Sequence, residues 1–247
     1  DQGELRVEER RVNWEILDAW QDAAEEMGIP RIKEFNTGDN FGCAYFQMNQ
    51  RKGVRWSASK AFLRPIQHRP NLTVMTNTHV QKLALQANEH GPRATGVWIT
   101  KGGDAPSLVT ATREVILAAG AVASPQILQL SGIGEPALMQ QLGAALVIDL
   151  PGVGQNLQDH LQIRTIYKVS NTTTLNPRVN SLVGKAMMGL EYLLFKTGPL
   201  TMPPSQLGAF AKSDEAQPTP NMEWHVQPLS LDQFGSPLHS FNAITPS

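Results

Sequence analysis

The 247 residues suffice for one large domain or two ordinary ones, and a hydrophobic content of 41% suffices for a core. The 21 basic and 22 acidic residues leave a net charge of -1, so we expect no binding to nucleic acid or acidic lipid. The longest apolar stretch, residues 115–123, is far shorter than the roughly 20 residues of a bilayer span, and no transmembrane helix is predicted.

The first predicted element is a helix over residues 14–27. Its apolar residues recur every three or four positions, Asn13 is placed to cap its start, and Gly28 is placed to end it. A loop rich in Gly, Asn and aromatic residues follows. A short helix over Ser57–Leu63 comes next, and we expect Pro65 to end it because proline disfavours helical geometry in the preceding residue.

The next part of the chain has the composition of a sheet. Three segments are rich in Val, Leu, Ile and Thr, and two adjacent glycines, Gly102 and Gly103, predict a hairpin turn between the second and third. The three segments are residues 71–86, 94–100 and 107–117.

Strand and helix signals then alternate. A short apolar strand over 115–119 runs into Gly120, and a helix is predicted from Pro125 to Leu130 because proline is favoured in a first helical turn. A helix over 136–142 and an apolar strand over 145–150 follow. This alternation predicts an α/β layer.

The chain after His160 is predicted to form a second type of fold. The predicted elements are a strand over 161–169, a polar loop, a helix over 182–195, a Pro-rich loop, and a strand over 221–226. We therefore expect a domain change near residues 158–161.

Two glycine patterns suggest a nucleotide-binding site. Residues 132–137, GIGEPA, match GxGxxA, and Asp149 follows near the place of a ribose-binding acid in an NAD-linked dehydrogenase. Such a unit needs a strand before its first glycine, whereas residues 124–131 favour a helix. The second pattern, GVGQNL at 152–157, lacks the third glycine and is interpreted as a turn.

A longer and rarer pattern covers the fifteen residues from Gly120 to Gly134, GAVASPQILQLSGIG. It consists of two small residues, Ser-Pro after two variable positions, an aliphatic pair, and Ser-Gly-Ile-Gly. This pattern is the second signature of the glucose-methanol-choline (GMC) oxidoreductase family, which the chain resembles. The resemblance continues through residues 149–160 on one side and residues 53–83 on the other.

The resemblance implies a fold and a cofactor. The fold is an α/β FAD-binding (Rossmann-like) portion plus an α+β substrate domain with an antiparallel sheet. By analogy with the family, FAD would meet the backbone of Val80 on its adenine side, and Ala118, Ala119 and Gly120 would line the same side. The implied domains are a substrate-side or lid-side segment over 1–50, part of the FAD-binding domain over 51–158, and part of the substrate-binding domain over 159–247.

The resemblance also implies that the chain is the middle of a longer protein. The family's GxGxxG, which holds the FAD pyrophosphate, and its C-terminal catalytic histidine have no counterpart in this sequence. The chain starts at Asp1 without an initiator Met or a signal pattern. We therefore predict no catalytic residue here and expect the remaining segments of the same enzyme as partners.

Met202 and His225 are candidates for contact with substrate, and Pro203 and Gln206 could line the alcohol pocket beside Met202. Met202 lies in the Pro-rich loop, and His225 lies in a strand of the predicted substrate sheet, where alternate side chains face the cavity. In choline-oxidising members of the family a Glu faces the quaternary ammonium, whereas Lys168 stands near that place here. Because one cation repels another, we do not expect choline as the substrate.

No metal site is predicted. The six histidines show no metal-ligand spacing. The single cysteine, Cys43, can form neither an internal disulfide nor a thiolate metal site. A lone cysteine also favours a reducing compartment, and we expect the cytoplasm.

The resemblance predicts part of an FAD-dependent enzyme that oxidises a primary alcohol by hydride transfer to flavin. Oxygen or a quinone would then accept the electrons, and the chain by itself is expected to be inactive. Two alternatives stay open at this point. One is an NAD-linked dehydrogenase that uses GIGEPA, and the other is a non-catalytic binding remnant of the family.

Overall fold

The computed structural model describes residues 3–233 and 235–247. Within them the chain forms two compact units. The first combines the described parts of Asp1–Leu72 and Leu161–Ser247, and the second is Thr73–His160. The predicted division into parts of an FAD-binding and a substrate-binding domain stays a prediction.

The helices and strands are numbered in chain order. The α-helices are α1 (Glu15–Glu26), α2 (Gly120–Leu130), α3 (Pro136–Gln141), α4 (Leu175–Asn180) and α5 (Leu182–Phe195). The strands are β1 (Gly42–Tyr45), β2 (Gln50–Arg51), β3 (Val54–Arg55), β4 (Thr78–Gln86), β5 (Arg93–Lys101), β6 (Ser107–Thr110), β7 (Ile133–Gly134), β8 (Ile148–Asp149), β9 (Tyr167–Lys168), β10 (Leu207–Ala211), β11 (Met222–Gln227) and β12 (Ala243–Pro246).

The first unit is built on an antiparallel sheet with the strand order β1-β10-β11-β12-β9. Helix α1 packs against one face of this sheet. The core between them is formed by buried residues of the helix, of its N-cap position and of the strands β1, β10 and β11. These residues are Trp14, Leu17, Ala24, Cys43, Tyr45, Leu207, Ala209 and Val226. Since side chains alternate along a strand, the residues between these core positions point to the other face.

The predicted cap of α1 is wrong. Trp14 occupies the N-cap position with an extended backbone, and among the described residues no side chain caps this helix. The Asn13 Oδ1 instead accepts a hydrogen bond from the Arg10 Nε at 2.8 Å. A bond from a charged donor is stronger than one from a neutral backbone N–H, so the amide oxygen turns to the arginine. The predicted end is confirmed, with Gly28 at a φ of 87°.

The short helix near residue 60 takes another form than expected. A π-helical turn covers Ser59–Leu63, and a 3-10 turn continues through Arg64–Ile66. Pro65 therefore does not end the helical segment. It sits at the start of the 3-10 turn, where its missing N–H would have no partner in the turn.

Several strands of the first unit lie outside the predicted elements. β1, β10 and β12 are buried along almost their whole length. Because both faces are covered, these strands lack the apolar and polar alternation that identifies a half-buried strand in sequence. Of the strand predicted over residues 161–169, only the two residues of β9 form a strand. Helix α4 starts within the predicted polar loop. α5 is confirmed. Within the described residues no helix is long and apolar enough to cross a membrane.

The second unit contains the antiparallel sheet β4-β5-β6. The hairpin turn predicted at Gly102 and Gly103 is confirmed, because both glycines have a positive φ and β5 pairs with β6 across them. The first strand starts only at Thr78. Residues 115–119, all of them described, form no strand. An apolar run of this kind becomes a strand only where neighbouring strands bond to it.

α2 begins five residues before the predicted start. Gly120 is its first residue and Pro125 lies inside the helix. The N–H that proline lacks would have bonded to the carbonyl of Ala121, which lies in the exposed first turn, so water can replace that bond. The prediction that Pro125 opens this helix is therefore wrong.

Cys43 is expected to be chemically inert in the folded protein. Its side chain is fully buried in β1, and burial raises the pKa of its thiol from 9.0 to about 11, partly offset by the charge of Arg31. The thiol keeps its proton in the folded state, so its contribution to stability is complete below pH 9 and is lost as the pH rises toward 11.

We expect very slow labelling of native Cys43 by a thiol reagent at about pH 8 and rapid labelling in urea. In the Cys43→Ala protein, the fall in unfolding free energy between pH 9 and about pH 11 should be shallower than in the parent. Fast labelling under native conditions would contradict the burial of this thiol.

Candidate functional site

Ser131, near the end of the fifteen-residue pattern, ties α2 to β4. Its hydroxyl donates to the Ile127 carbonyl at 2.6 Å and accepts from the Leu83 N–H at 2.8 Å. The side chain is buried, so no water replaces these bonds. The serine of Ser-Gly-Ile-Gly therefore fixes the C-terminal end of α2 on the sheet.

Gly132 allows two segments of the second unit to cross closely. Its φ is 81°, and a Cβ at this position would collide with the Ala145 carbonyl oxygen. The Gly132 carbonyl accepts from the N–H groups of Val147 and Ile148 at 2.7 and 3.1 Å. These bonds bring β8 into parallel pairing with β7, and glycine is required because a side chain would hold the segments apart.

The turn formed by Ala118, Ala119 and Gly120 is the open part of this region. All three residues are exposed, Gly120 has a φ of 86°, and no described atom lies within 4 Å of the place that a Cβ would take there. The Ser124 Oγ accepts from the Ala119 N–H at 3.1 Å and holds the turn. The turn presents small residues and the positive end of an eleven-residue helix, which suits a ligand that carries hydrogen-bond acceptors.

Val80 lies on the core that supports this turn. It packs half-buried against a cluster of Leu83, Ile127, Ile133 and Val153, and Leu117, the residue before the turn, packs against the same cluster. The structure thus packs β4 and the residue before the turn against the same core. A role of Val80 and of the turn in cofactor binding stays a prediction.

The NAD-linked alternative is wrong. Residues 120–130 are helical, and GIGEPA follows this helix directly. A dinucleotide-binding βαβ unit needs a strand at that place to aim the next helix at the pyrophosphate. The helix that follows, α3, is also only six residues long.

The two predicted substrate residues lie on different faces of the first sheet. Met202 packs against the core under α1. His225 alternates in β11 with Trp224 and Val226, which face that core, so the His225 side chain points to the opposite face. The structure therefore does not bring Met202 and His225 together, and a substrate role for either stays a prediction.

The sheet face that carries His225 combines one polar pair with aromatic rings. The His225 Nε2 lies 2.7 Å from the Glu223 Oε1, and its ring centroid lies 5.3 Å from that of Phe46. Gly208, the cross-strand partner of His225, makes room for the Phe46 ring, which covers the place of its missing Cβ. Phe35 packs against Phe46 with ring centroids 5.3 Å apart.

Sequence reasoning missed these aromatic neighbours, although the signal was present. The segment from Phe35 to Phe46 is rich in aromatic residues, but its local pattern predicts only a loop. The pairing of β1 with β10 brings it beside His225.

Two glutamines near this face carry unsatisfied polar atoms. The described residues offer no hydrogen-bond partner to either side-chain polar atom of Gln206 or to the Gln227 Oε1, and all three atoms are buried. The Gln227 Nε2 donates to the Ser205 Oγ at 3.2 Å. A buried amide without partners costs about 1 to 3 kcal/mol, so a polar group brought to these atoms would bind favourably.

A serine, a histidine and an aspartate also meet in the first unit, but not as a hydrolytic triad. The Ser230 Oγ lies 2.9 Å from the His239 Nδ1, and the His239 Nε2 lies 3.1 Å from the Asp232 Oδ1. Ser230 is fully buried, and its Oγ also accepts a hydrogen bond from the Asn176 Nδ2 at 2.9 Å. A nucleophile must reach its substrate, so this arrangement is structural.

The absence of a metal site stays a prediction. In the described part of the chain, no group of three or more His, Cys, Asp or Glu side chains is arranged to hold a metal ion.

Comparison with known proteins identifies the family. The model of the GMC oxidoreductase family matches residues 2–162. The oxygen-dependent choline dehydrogenase of Photobacterium profundum is 37% identical over 216 residues, which are 87% of this chain and 37% of that protein. The alcohol dehydrogenase (acceptor) of Pseudomonas putida is 35% identical over 235 residues, which are 94% of this chain and 42% of that protein.

Solved structures show the same fold. A formate oxidase structure superposes with a TM-score of 0.85 at 20% identity, covering 99% of this chain and 47% of the other. An FAD-dependent oxidoreductase from Chaetomium thermophilum superposes with a TM-score of 0.75 at 27% identity, covering 85% of this chain and 36% of the other. The predicted fold class is confirmed. The chain spans about two fifths of the length of these curated relatives. The chain belongs to the GMC oxidoreductase family.

Proposed function

We propose that the chain is part of an FAD-dependent enzyme that oxidises a primary alcohol. The observation that carries the proposal is the exposed turn Ala118–Gly120, which small residues keep open and which Ser124 holds at the start of α2. Val80 would contribute its backbone on the same side of FAD. These residues fit a cofactor edge, because a backbone without large side chains can be approached closely.

FAD, when bound, supplies the acceptor for the hydride of the alcohol carbon. The residues of this chain would hold the adenine side of the cofactor and shape the substrate surface. The His225 face supplies aromatic contact through Phe46, and the unsatisfied amide of Gln206 can bond to a substrate hydroxyl. The catalytic base would come from segments outside this chain, which we propose as its partners.

We further propose an uncharged primary alcohol as the substrate. Lys168 is exposed in the edge strand β9, with its Nζ 5.5 Å from the ring centroid of Phe241. A positive charge at this place disfavours a quaternary ammonium group. Oxygen or a quinone would accept the electrons, and a cytoplasmic location stays a prediction.

The proposal can be tested in a chimera. The 235-residue region of the Pseudomonas putida alcohol dehydrogenase (acceptor) that matches this chain is replaced by the chain itself. We expect the chimera to retain FAD through gel filtration and a primary alcohol to bleach the flavin without air. The chain by itself should bind FAD weakly or not at all, since it contains no GxGxxG. A chain that purifies with saturated flavin would overturn that expectation.

Matched glycine variants of the chimera separate a cofactor role from backbone strain. Gly120 and Gly103 are both exposed, have a φ of 86° and 92°, and have open space where a Cβ would be. We expect Gly120→Ala to lower the flavin content several-fold and Gly103→Ala to leave it unchanged. Equal flavin content in the two variants would refute cofactor contact at this turn. A chimera that binds FAD but is not reduced by any alcohol would instead indicate a binding remnant.

A further inference from the structure

A pocket of about 400 Å³ opens at the start of α1, in the first unit. It is lined by Asn13, Trp14 and Glu15 at the start of α1, by Asn171, Thr172 and Thr173 in the loop before α4, and by Arg178 of α4. α1 packs on the face of the sheet opposite to His225. The pocket is therefore separate from the proposed substrate surface.

Two of the residues that line this pocket carry a polar group without a hydrogen-bond partner among the described residues. Trp14 is only 3% exposed, and its Nε1–H finds no acceptor among the described residues. The Thr172 Oγ1 is likewise buried and has no partner there. An indole N–H can only donate, so a buried indole without an acceptor calls for a ligand that accepts a hydrogen bond.

One cationic side chain among the lining residues has no ion-pair partner among the described residues. The Arg178 guanidinium lies 5.2 Å from the ring centroid of Trp14, and no carboxylate of the described residues forms an ion pair with it. α1 is twelve residues long and has no side-chain cap among those residues, so the N–H groups of its first turn also point toward this end.

One carboxylate opposes this charge. Glu15 lines the pocket with an exposed side chain. The other acid of the first turn, Asp18, is engaged by the hydroxyl of Tyr45. The charges of Arg178 and Glu15 therefore balance, and the unpaired polar groups of Trp14 and Thr172 favour a ligand that accepts hydrogen bonds.

We propose that this pocket binds an oxyanion, a carboxylate or phosphate group of a small molecule. The Trp14 Nε1–H and the Thr172 hydroxyl donate to its oxygens, and Arg178 supplies the opposite charge. The proposal does not depend on FAD binding or on alcohol oxidation.

The test is a titration of the chain with inorganic phosphate, and separately with acetate, at constant ionic strength. The indole N–H resonance of Trp14, assigned with Trp14→Phe, reports binding at the pocket. We expect a saturable shift with at least one of the two anions. Arg178→Gln should weaken binding at least tenfold and Thr172→Val several-fold, whereas Glu15→Gln should strengthen it several-fold.

Arg69→Gln is the matched control, since Arg69 is an exposed arginine of the same unit outside the pocket. This substitution should leave anion binding unchanged. Thr172→Val preserves shape and keeps the test valid if Arg178→Gln disturbs the fold. No saturable shift with either anion would overturn the proposal. Equal affinity of the parent, Arg178→Gln and Thr172→Val proteins would do the same.

Discussion

Replacing Gly132 with alanine is expected to destabilise the second unit by about 3 to 5 kcal/mol. Two costs add at this position. A positive φ of 81° costs an alanine about 1 to 2 kcal/mol. The new Cβ would also collide with the Ala145 carbonyl oxygen and lie 2.8 Å from the Val147 Cγ2, and backbone cannot move aside as a side-chain tip can.

Gly120→Ala is the matched control for this substitution. Its φ of 86° is almost the same, but its Cβ would meet open space, so we expect a loss of only about 1 to 2 kcal/mol. Urea unfolding of the second unit can be followed in protein labelled with fluorotryptophan, at the resonance of residue 98. Trp98 is the tryptophan within Thr73–His160. Equal losses in the two variants would show that the close crossing at Gly132 does not govern stability.

The Asn176→Ala substitution is expected to lower the free energy of unfolding of the first unit by about 3 kcal/mol. Replacing an exposed asparagine of the same helix should lower it less. The Asn176 Nδ2 donates to the Ser230 Oγ and to the Phe241 carbonyl, and its Oδ1 accepts from the Ser230 N–H. The side chain is fully buried. Alanine would leave the Ser230 N–H and the Phe241 carbonyl without this partner, each at a cost of about 1 to 3 kcal/mol, whereas the Ser230 Oγ keeps its hydrogen bond with the His239 Nδ1.

Asn180→Ala provides the comparison. Asn180 lies one turn further along α4, and its amide donates to the carbonyls of Leu238 and His239 in the chain segment between β11 and β12, but its side chain is exposed. Water can replace those bonds, so we expect a loss below about 1 kcal/mol. The measurement is urea unfolding at the fluorotryptophan resonance of Trp224. If Asn176→Ala costs no more than Asn180→Ala, the buried network does not hold this segment.

Elements with strong local signals were predictable, and those that depend on distant partners were not. α1 and α5 carry regular helical periodicity, and the hairpin at Gly102 and Gly103 carries turn glycines. β1 and β10 carry small residues and no alternation, so only their mutual pairing and the packing of α1 make them strands. α2 starts at Gly120 rather than Pro125 because the serine of Ser-Pro holds the preceding turn.

The candidate site divides in the same way. The pattern GAVASPQILQLSGIG by itself determined the family, and the structure assigns physical tasks to its glycines and serines. Only the tertiary structure decided that Met202 and His225 face opposite sides of one sheet and that Phe46 lies beside His225. A local pattern specifies backbone conformation and residue spacing, because these depend on near neighbours along the chain. The face on which a side chain lies depends on strand pairing and helix packing between segments far apart in sequence.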